Sequence, residues 1–324
     1  MVRVYYLGCK EMRVLSIDGG GFLGLATAAF IDGAEKHLKR SFHKEFDLFC
    51  GTSTGAIIAL SLAIGKSAAE IVELYRKLGK GVFQTRWYSR VPVFTTKYDN
   101  VALRRHLDEV FGDLTLGDLL DHGKKVLITS YCVTTGSPRI FKTDHSPNLS
   151  LHNRLRITDV ALASSAAPTY FPLVRIDAPT GDYPEYFCDG GVVSNNPALL
   201  GFTEAIQELQ ALPRDVRLLS LSTPRKKALE KKMGSLRRGI IGWALKLPEV
   251  LIDSPAQIVD QMLRRIVTSY PDPKPEYLRM DFENHWETPI DKVTPNSIET
   301  LMNEGHSKSN DGETRRELER FFQT

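Results

Sequence analysis

Short apolar runs rich in β-branched residues alternate with longer stretches of helical composition up to about residue 223 of the chain. The first pair is a strand over 13–17 and a helix over 24–38, and the second is a strand over 46–50 and a helix over 56–64. Four more elements follow, namely strands over 125–133, 139–142 and 216–221 and a helix over 158–165. Strands that alternate with helices favour a mostly parallel sheet covered on both faces, so we predict a three-layer α/β/α sandwich.

Two helix starts carry capping signals. Thr115 and Asp118 have the spacing of a variant capping box that opens a short helix. Thr314 opens a last helix that has Leu318 and Phe321 on one face and a second aromatic, Phe322, beside them in sequence. We expect this helix to dock on the core, because a solvated tail would not need two phenylalanines.

The composition changes at residue 225, since residues 225–246 hold eight basic side chains and one acid. This basic stretch is compatible with an amphipathic helix on a membrane surface, with a site for a phosphate ligand or with an ordinary solvated helix. We predict an N-terminal segment of 12 residues and a main domain over 13–224. Residues 225–324 are expected to supply helices that pack on this domain and gate its site. Residues 236–251 are the candidate membrane-docking face.

The overall composition is that of a soluble globular protein, with 324 residues of which 42% are hydrophobic and 25% charged. The formal net charge of +3 is too small to indicate binding of a nucleic-acid polymer. The longest largely apolar stretch, residues 55–65, is about half as long as the roughly 20 residues that a membrane-spanning helix needs. The first residues lack the pattern of a secretory signal. A cytoplasmic location is therefore expected.

The cysteines give no sign of a disulfide framework or a metal site. Cys9, Cys50, Cys132 and Cys188 are scattered, and none of them belongs to a Cys-x-x-Cys pair. We expect reduced and mostly buried thiols.

The segment Gly51-Thr52-Ser53-Thr54-Gly55 has the sequence context of a nucleophile elbow, because an apolar run precedes it and a helical stretch follows it. The flanking glycines, Gly51 and Gly55, leave room for a strained turn with Ser53 at its tip. The helix that follows aims its amide dipoles at the charge that develops on an attacked ester. A serine-rich turn that only caps a helix is the alternative.

A glycine-rich turn follows the first predicted strand, with Gly19, Gly20, Gly21 and Gly24 after Asp18. Its spacing satisfies the dinucleotide-binding pattern, but no acidic residue stands at the end of the second strand, where that pattern requires one. The alternative use is an oxyanion hole, in which bare backbone amides at a helix N-terminus approach an anionic oxygen.

A nucleophilic serine needs a base, and the sequence offers two kinds. In a Ser, Asp, His order the histidine follows the acid, which leaves His285 and His306. Asp189 is the other candidate, because it stands where a predicted strand end meets Gly190 and Gly191. A carboxylate there could take the Ser53 proton directly.

Four blocks together carry a family resemblance, and in order and spacing the chain resembles the patatin-like phospholipases over residues 13–224. The blocks are Asp18-Gly-Gly-Gly21, Gly51-Thr-Ser-Thr-Gly55, Ala163-Ser-Ser-Ala-Ala-Pro-Thr-Tyr-Phe-Pro172 and Asp189-Gly-Gly191 with Asn195-Asn-Pro197. The resemblance implies that Ser53 is the nucleophile and Asp189 the base of a dyad without a catalytic histidine. It implies an oxyanion hole made of Gly19, Gly20, Gly21 and Thr54. Many members carry a basic residue in the oxyanion loop where this chain has Leu23, so the contribution of that charge is absent here.

Loop variants and length resemble more narrowly the cyclic-nucleotide-activated phospholipase effectors of bacterial anti-phage systems. That resemblance implies hydrolysis of membrane glycerophospholipid esters, switched on by a cyclic dinucleotide, with peripheral contact to the inner membrane. No metal or organic cofactor is required, and a homo-oligomer is compatible with the sequence. Four alternatives stay open at this point: an ungated lipid acyl hydrolase, an acyltransferase, a histidine-dependent esterase and a non-catalytic nucleotide- or lipid-binding protein on the same scaffold.

Overall fold

The computed structural model describes residues 11–82, 96–177, 183–225, 247–283 and 289–323. The strands of these ranges are β1 Met12–Ile17, β2 Leu48–Thr52, β3 Lys125–Cys132, β4 Ser137–Lys142, β5 Val174–Asp177, β6 Pro184–Asp189, β7 Val216–Leu221 and β8 Glu276–Met280. The helices are α1 Gly24–Leu38, α2 Phe42–Glu45, α3 Thr54–Ala63, α4 Ala68–Gly81, α5 Val101–Phe111, α6 Leu116–Asp121, α7 Ile157–Ser165, α8 Gly191–Ser194, α9 Ala198–Gln207, α10 Leu247–Ser269, α11 Pro295–Asn310 and α12 Gly312–Phe322. Short 3-10 turns cover Gly21–Leu23 and Pro213–Asp215.

One sheet holds all of these strands, in the order β5-β6-β3-β2-β1-β7-β8, with β4 paired to β3 beside this path. The pairs that join β3, β2, β1, β7 and β8 are parallel, whereas β4, β5 and β6 pair antiparallel. The predicted mostly parallel sheet is therefore confirmed. Because parallel strands end at one edge, the loops after β1 and β2 meet there.

Alternate residues of each central strand enter different cores, and this places helices on both faces of the sheet. Leu15 and Ile17 of β1 join a core with α1 and α3, while Val14 joins a second core with Phe202 of α9 and Leu263 of α10. All five side chains are at most 3% exposed. Strands buried on both faces read as continuous apolar runs, which is how the sequence presents them.

The C-terminal third contributes more than the helices expected of it. Strand β8 extends the sheet beyond β7, so residues 225–324 supply a strand of the sheet in addition to the expected helices. Helix α12 docks as predicted, because Leu318 and Phe321 are fully buried and Phe322 is 2% exposed. Its start differs from the expectation, since Asp311 caps it by accepting a hydrogen bond of 2.9 Å from the Thr314 N–H.

The structure also shows the predicted helix cap at Thr115 and the positions of three of the four cysteines. The capping box at Thr115 is present, because the Asp118 carboxylate accepts the Thr115 N–H at 2.7 Å and the Thr115 hydroxyl accepts the Asp118 N–H at 3.4 Å. Cys50, Cys132 and Cys188 are buried and free. Cys9, most of the basic stretch and the segment that contains His285 lie outside the described residues.

Candidate active site

Ser53 lies at the turn between β2 and α3 in a backbone conformation that L residues rarely adopt, with φ 54° and ψ −122°. The flanking glycines make this turn possible by close approach. A Cβ at Gly51 would lie 2.5 Å from the Gly55 carbonyl oxygen, and one at Gly55 would lie 2.2 Å from the Ile17 carbonyl oxygen. The Ser53 N–H donates a 2.8 Å hydrogen bond to the Ser164 hydroxyl, which supports the turn from α7. Strain of this kind persists only where its surroundings fix it.

The Ser53 hydroxyl donates directly to a carboxylate. Its Oγ lies 2.6 Å from Oδ2 of Asp189, the last residue of β6, and the two residues are 8% and 5% exposed. The other carboxylate oxygen accepts a 2.6 Å hydrogen bond from the Gly191 N–H. Gly190 is required between them, because a Cβ there would lie 2.3 Å from the Thr129 carbonyl oxygen. Both carboxylate oxygens are therefore bonded, and one of them faces the serine.

Burial raises the pKa of Asp189 to about 6, and the hydrogen bonds from Ser53 and Gly191 offset only part of this shift. A carboxyl with this pKa is ionised at neutral pH, yet it is a much stronger base than an exposed aspartate. It can accept a proton from a hydroxyl in contact with it. The pair has the geometry and the proton affinity that general-base activation of a serine needs.

The glycine loop after β1 lies beside Ser53 and has specific partners. The Gly19 N–H donates to the Asn195 carbonyl at 3.1 Å, and the Gly19 carbonyl accepts from the Thr223 hydroxyl at 2.6 Å. A Cβ at Gly19 would lie 3.2 Å from the Ser53 Cβ. The prediction that Gly19 supplies an oxyanion donor is wrong, because its amide is already bonded to a carbonyl.

The remaining predicted donors keep their amides available. Within the described residues, no acceptor is bonded to the N–H groups of Gly20, Gly21 or Thr54. Gly21 has φ 58°, and a Cβ there would lie 2.6 Å from the Ile290 carbonyl oxygen. That same carbonyl accepts the Phe22 N–H at 2.7 Å. The N–H groups of Gly20 and Gly21 in the loop, and of Thr54 at the start of α3, are therefore free to bind an oxyanion. The residues on either side of the two loop glycines, Gly19 and Phe22, are fixed by hydrogen bonds.

Tyr75 of α4 is a contact that the sequence analysis did not anticipate. Its hydroxyl donates to the Thr54 carbonyl at 3.0 Å and also contacts the Thr54 hydroxyl. A Cβ at Gly24 would lie within 2.9 Å of both side chains, so this small residue lets α1, α3 and α4 meet. The Tyr75 hydroxyl thereby fixes Thr54, the residue after the elbow serine. The sequence gives one sign of this contact, because Tyr75 is an aromatic residue with a polar tip on an otherwise apolar helix face.

Of the two candidate histidines, only His306 lies in the part of the chain that the structure describes. His306 lies on α11 and its Nε2 is 3.1 Å from the Asp32 carboxylate of α1, so its partner is an acid on a neighbouring helix. Leu23, which stands where many family members carry a basic residue, is 3% exposed and packs in the core.

The described residues hold no cluster of three or more His, Cys, Asp or Glu side chains placed to hold a metal ion. They also hold no helix with the length and apolar character needed to cross a bilayer.

Comparison with known proteins gives consistent matches. The family model described as patatin-like phospholipase matches residues 15–201. A cGAMP-activated phospholipase of Pseudomonas aeruginosa is 37% identical over 263 residues, which cover 80% of this chain and 76% of that protein. A cGAMP-activated phospholipase of Vibrio cholerae is 35% identical over 66% of this chain and 64% of its own length. A cUMP-AMP-activated phospholipase of Escherichia coli is 31% identical over 77% of this chain and 76% of its own length.

Proposed function

Because the chain belongs to the patatin-like phospholipase family, we propose that it hydrolyses acyl esters of membrane glycerophospholipids with Ser53 as nucleophile and Asp189 as base. The observation that carries this proposal is the direct 2.6 Å hydrogen bond from the Ser53 hydroxyl to the Asp189 carboxylate. A strained serine on a strand-to-helix turn is the arrangement that exposes a nucleophile to an ester.

The reaction proceeds by acyl transfer in two steps. Asp189 accepts the Ser53 proton as Ser53 Oγ bonds to the ester carbonyl carbon, and the amides of Gly20, Gly21 and Thr54 bind the resulting oxyanion. The ester C–O bond then breaks, Asp189 returns the proton to the leaving alcohol, and the acyl group stays on Ser53. Water gives a proton to Asp189 and attacks the acyl carbon. The bond from that carbon to Ser53 Oγ then breaks, and Asp189 returns the proton to Oγ as the fatty acid leaves. Each oxyanion donor of this kind contributes roughly 100-fold or more to the rate.

A cyclic dinucleotide is the proposed activator. Support comes from the three relatives above, each of which carries a cyclic nucleotide in its name. Two are activated by cGAMP and one by cUMP-AMP, so the choice of nucleotide differs among proteins of similar overall identity to this chain. The proposal is therefore activation by a cyclic dinucleotide as a class, in the anti-phage role that the resemblance implies. Because the substrate is a bilayer lipid, the active enzyme contacts a membrane surface peripherally.

Fatty-acid release from vesicles of mixed bacterial phospholipids tests this proposal. Wild type and Ser53→Ala are compared, with and without cGAMP, cUMP-AMP and a panel of other cyclic di- and trinucleotides. Ser61→Ala is the matched control. Ser61 is a fully buried serine of α3, the helix that follows Ser53, and its hydroxyl has no hydrogen-bond partner among the described residues.

The expected result is release that needs both Ser53 and one nucleotide, and that Ser61→Ala leaves within about twofold of wild type. Release without any nucleotide would discard the activation and keep the lipase. Release that Ser53→Ala retains would contradict the assigned nucleophile, and product esterified to an acceptor other than water would identify an acyltransferase.

A further inference from the structure

The glycine loop begins with a buried ion pair that joins it to the far C-terminal strand. Asp18 is 2% exposed, and both of its carboxylate oxygens accept hydrogen bonds from Arg279 of β8. Nη1 donates to Oδ1 at 2.9 Å and Nη2 donates to Oδ2 at 2.5 Å. A planar guanidinium bound in this two-point manner fixes the orientation of a carboxylate as well as its position.

Arg279 is itself held rigidly by its remaining donors. Nη1 also donates to the Ser220 hydroxyl of β7 at 2.7 Å, and Nε donates to the Asp281 carboxylate at 3.1 Å. The arginine side chain is 1% exposed. Because strands β7 and β8 pair in register at Ser220 and Arg279, the guanidinium is anchored on the sheet and not on a loop.

Asp18 is the point at which this anchor reaches the candidate oxyanion hole. Its N–H continues the sheet by donating to the Leu221 carbonyl at 3.0 Å, and its side chain marks where the chain leaves β1. Gly19, Gly20 and Gly21 follow and have no side chains. Within residues 18–21, only the Asp18 side chain can therefore be bound by side chains from other parts of the protein. The conformational freedom of three successive glycines has to be removed by contacts from outside.

We propose that Arg279 is a positioning residue, which fixes Asp18 and thereby holds the amides of Gly20 and Gly21 where the oxyanion forms. Arg279 does not touch the substrate in this scheme, since the Asp18 carboxylate occupies its outer two nitrogens. The inference rests on the proposed function, because it assigns a role within the same acyl-transfer site.

The chain offers a matched control for loss of a buried arginine. Arg217 lies on β7, near the opposite end of the same strand pair, and its Nε is 3.0 Å from the Glu11 carboxylate. It also forms an ion pair with Glu276, the first residue of β8. The Arg217 and Arg279 side chains are both largely buried, at 9% and 1% exposed. The partners of Arg217 lie nearer the surface, since Glu11 and Glu276 are 31% and 36% exposed whereas Asp18 is 2% exposed. Only Arg279 contacts the start of the glycine loop.

Arg279→Met, Arg279→Lys and Arg217→Met are compared with wild type for kcat and KM on a soluble short-chain ester, in the presence of the activating nucleotide where one is needed. The melting temperature of each protein is measured as well. We expect Arg279→Met to lower kcat at least tenfold with KM within about twofold, because an oxyanion contact acts in the transition state. Arg217→Met should lower the melting temperature and leave kcat within about twofold. Arg279→Lys, which keeps the charge without the two-point contact, should fall between wild type and Arg279→Met.

Equal loss of kcat in Arg217→Met and Arg279→Met would overturn the inference, and so would a wild-type kcat in either Arg279 variant. If Arg279→Met does not fold, Arg279→Lys decides the question, because a folded lysine variant with wild-type kcat contradicts the positioning role. Failure of the proposed function can be distinguished from failure of this inference. In the former case wild type itself would show no hydrolysis that depends on Ser53.

Discussion

The buried Asp189 carboxylate is expected to lower the stability of the folded protein at neutral pH, where it is ionised, and in the same form to act as the base for hydrolysis. Asp189→Asn keeps the shape of the side chain and its capacity to accept the Ser53 hydroxyl, but it removes the ionisable group. The pKa of Asp189 is raised by burial from 3.8 to about 6. A raised pKa means that the folded state disfavours the ionised form, so Asp189 contributes stability below pH 3.8 that is lost as pH rises through about 6.

The magnitude follows from the size of that shift. A difference of about two pKa units corresponds to about 3 kcal/mol in full, of which about 2 kcal/mol fall between pH 4.5 and pH 8. We therefore expect the unfolding free energy of Asp189→Asn, measured relative to wild type, to increase by about 2 kcal/mol from pH 4.5 to pH 8. The variant should also lose hydrolysis, because an amide cannot accept the serine proton.

Urea unfolding followed by circular dichroism at the two pH values measures this double difference. Taking the change between the two pH values removes any constant contribution of the substitution, such as loss of the hydrogen bond from the Gly191 N–H, which an amide nitrogen cannot accept. A double difference near zero would refute the raised pKa, and a negative one would show that the folded protein favours the ionised carboxylate. Full hydrolytic activity in Asp189→Asn would refute its role as base.

Three further outcomes follow from the same geometry. The logarithm of kcat/KM of wild type on a soluble ester, plotted against pH, should rise with a slope of one up to about pH 6 and then level off to pH 8, because Asp189 must be ionised. A profile that stays flat down to pH 5 would exclude Asp189 as the base. Gly20→Ala should lower kcat roughly 100-fold or more, since its Cβ would lie 2.2 Å from the Thr223 hydroxyl and displace an oxyanion amide. Tyr75→Phe should cost about 1 kcal/mol of stability by urea unfolding and lower kcat several-fold, because it releases Thr54, whereas an unchanged kcat would limit Tyr75 to a structural role.

Local patterns predicted most of the fold because the elements concerned are long and strongly patterned. The helix at 24–38 and the strand at 216–221 were predicted with the bounds that the structure shows. Strand β8 gives no clear signal in the sequence, because two of its five residues, Glu276 and Arg279, are charged and it follows a proline-rich loop. Its place in the sheet depends on pairing with β7, which lies far away in the sequence.

The same distinction between local patterns and distant contacts applies to the residues of the candidate site. Ser53 and Asp189 could be found because each stands in a glycine motif whose geometry is local. The Asp18 to Arg279 pair could not, because its partners are 261 positions apart and no spacing rule connects them. Gly19 was assigned a donor role that its motif allows, and only the fold shows that the Asn195 carbonyl already binds its amide.

Covalent labelling of the purified protein by a long-chain fluorophosphonate, located by peptide mass mapping, tests most directly that Ser53 is activated by Asp189. We expect one adduct, on Ser53, in wild type and in Ser61→Ala. Labelling should slow at least 100-fold in Asp189→Asn, and in wild type its rate should increase as pH rises through about 6. An adduct on another residue, or equal labelling of Ser53 in wild type and Asp189→Asn, would contradict the dyad.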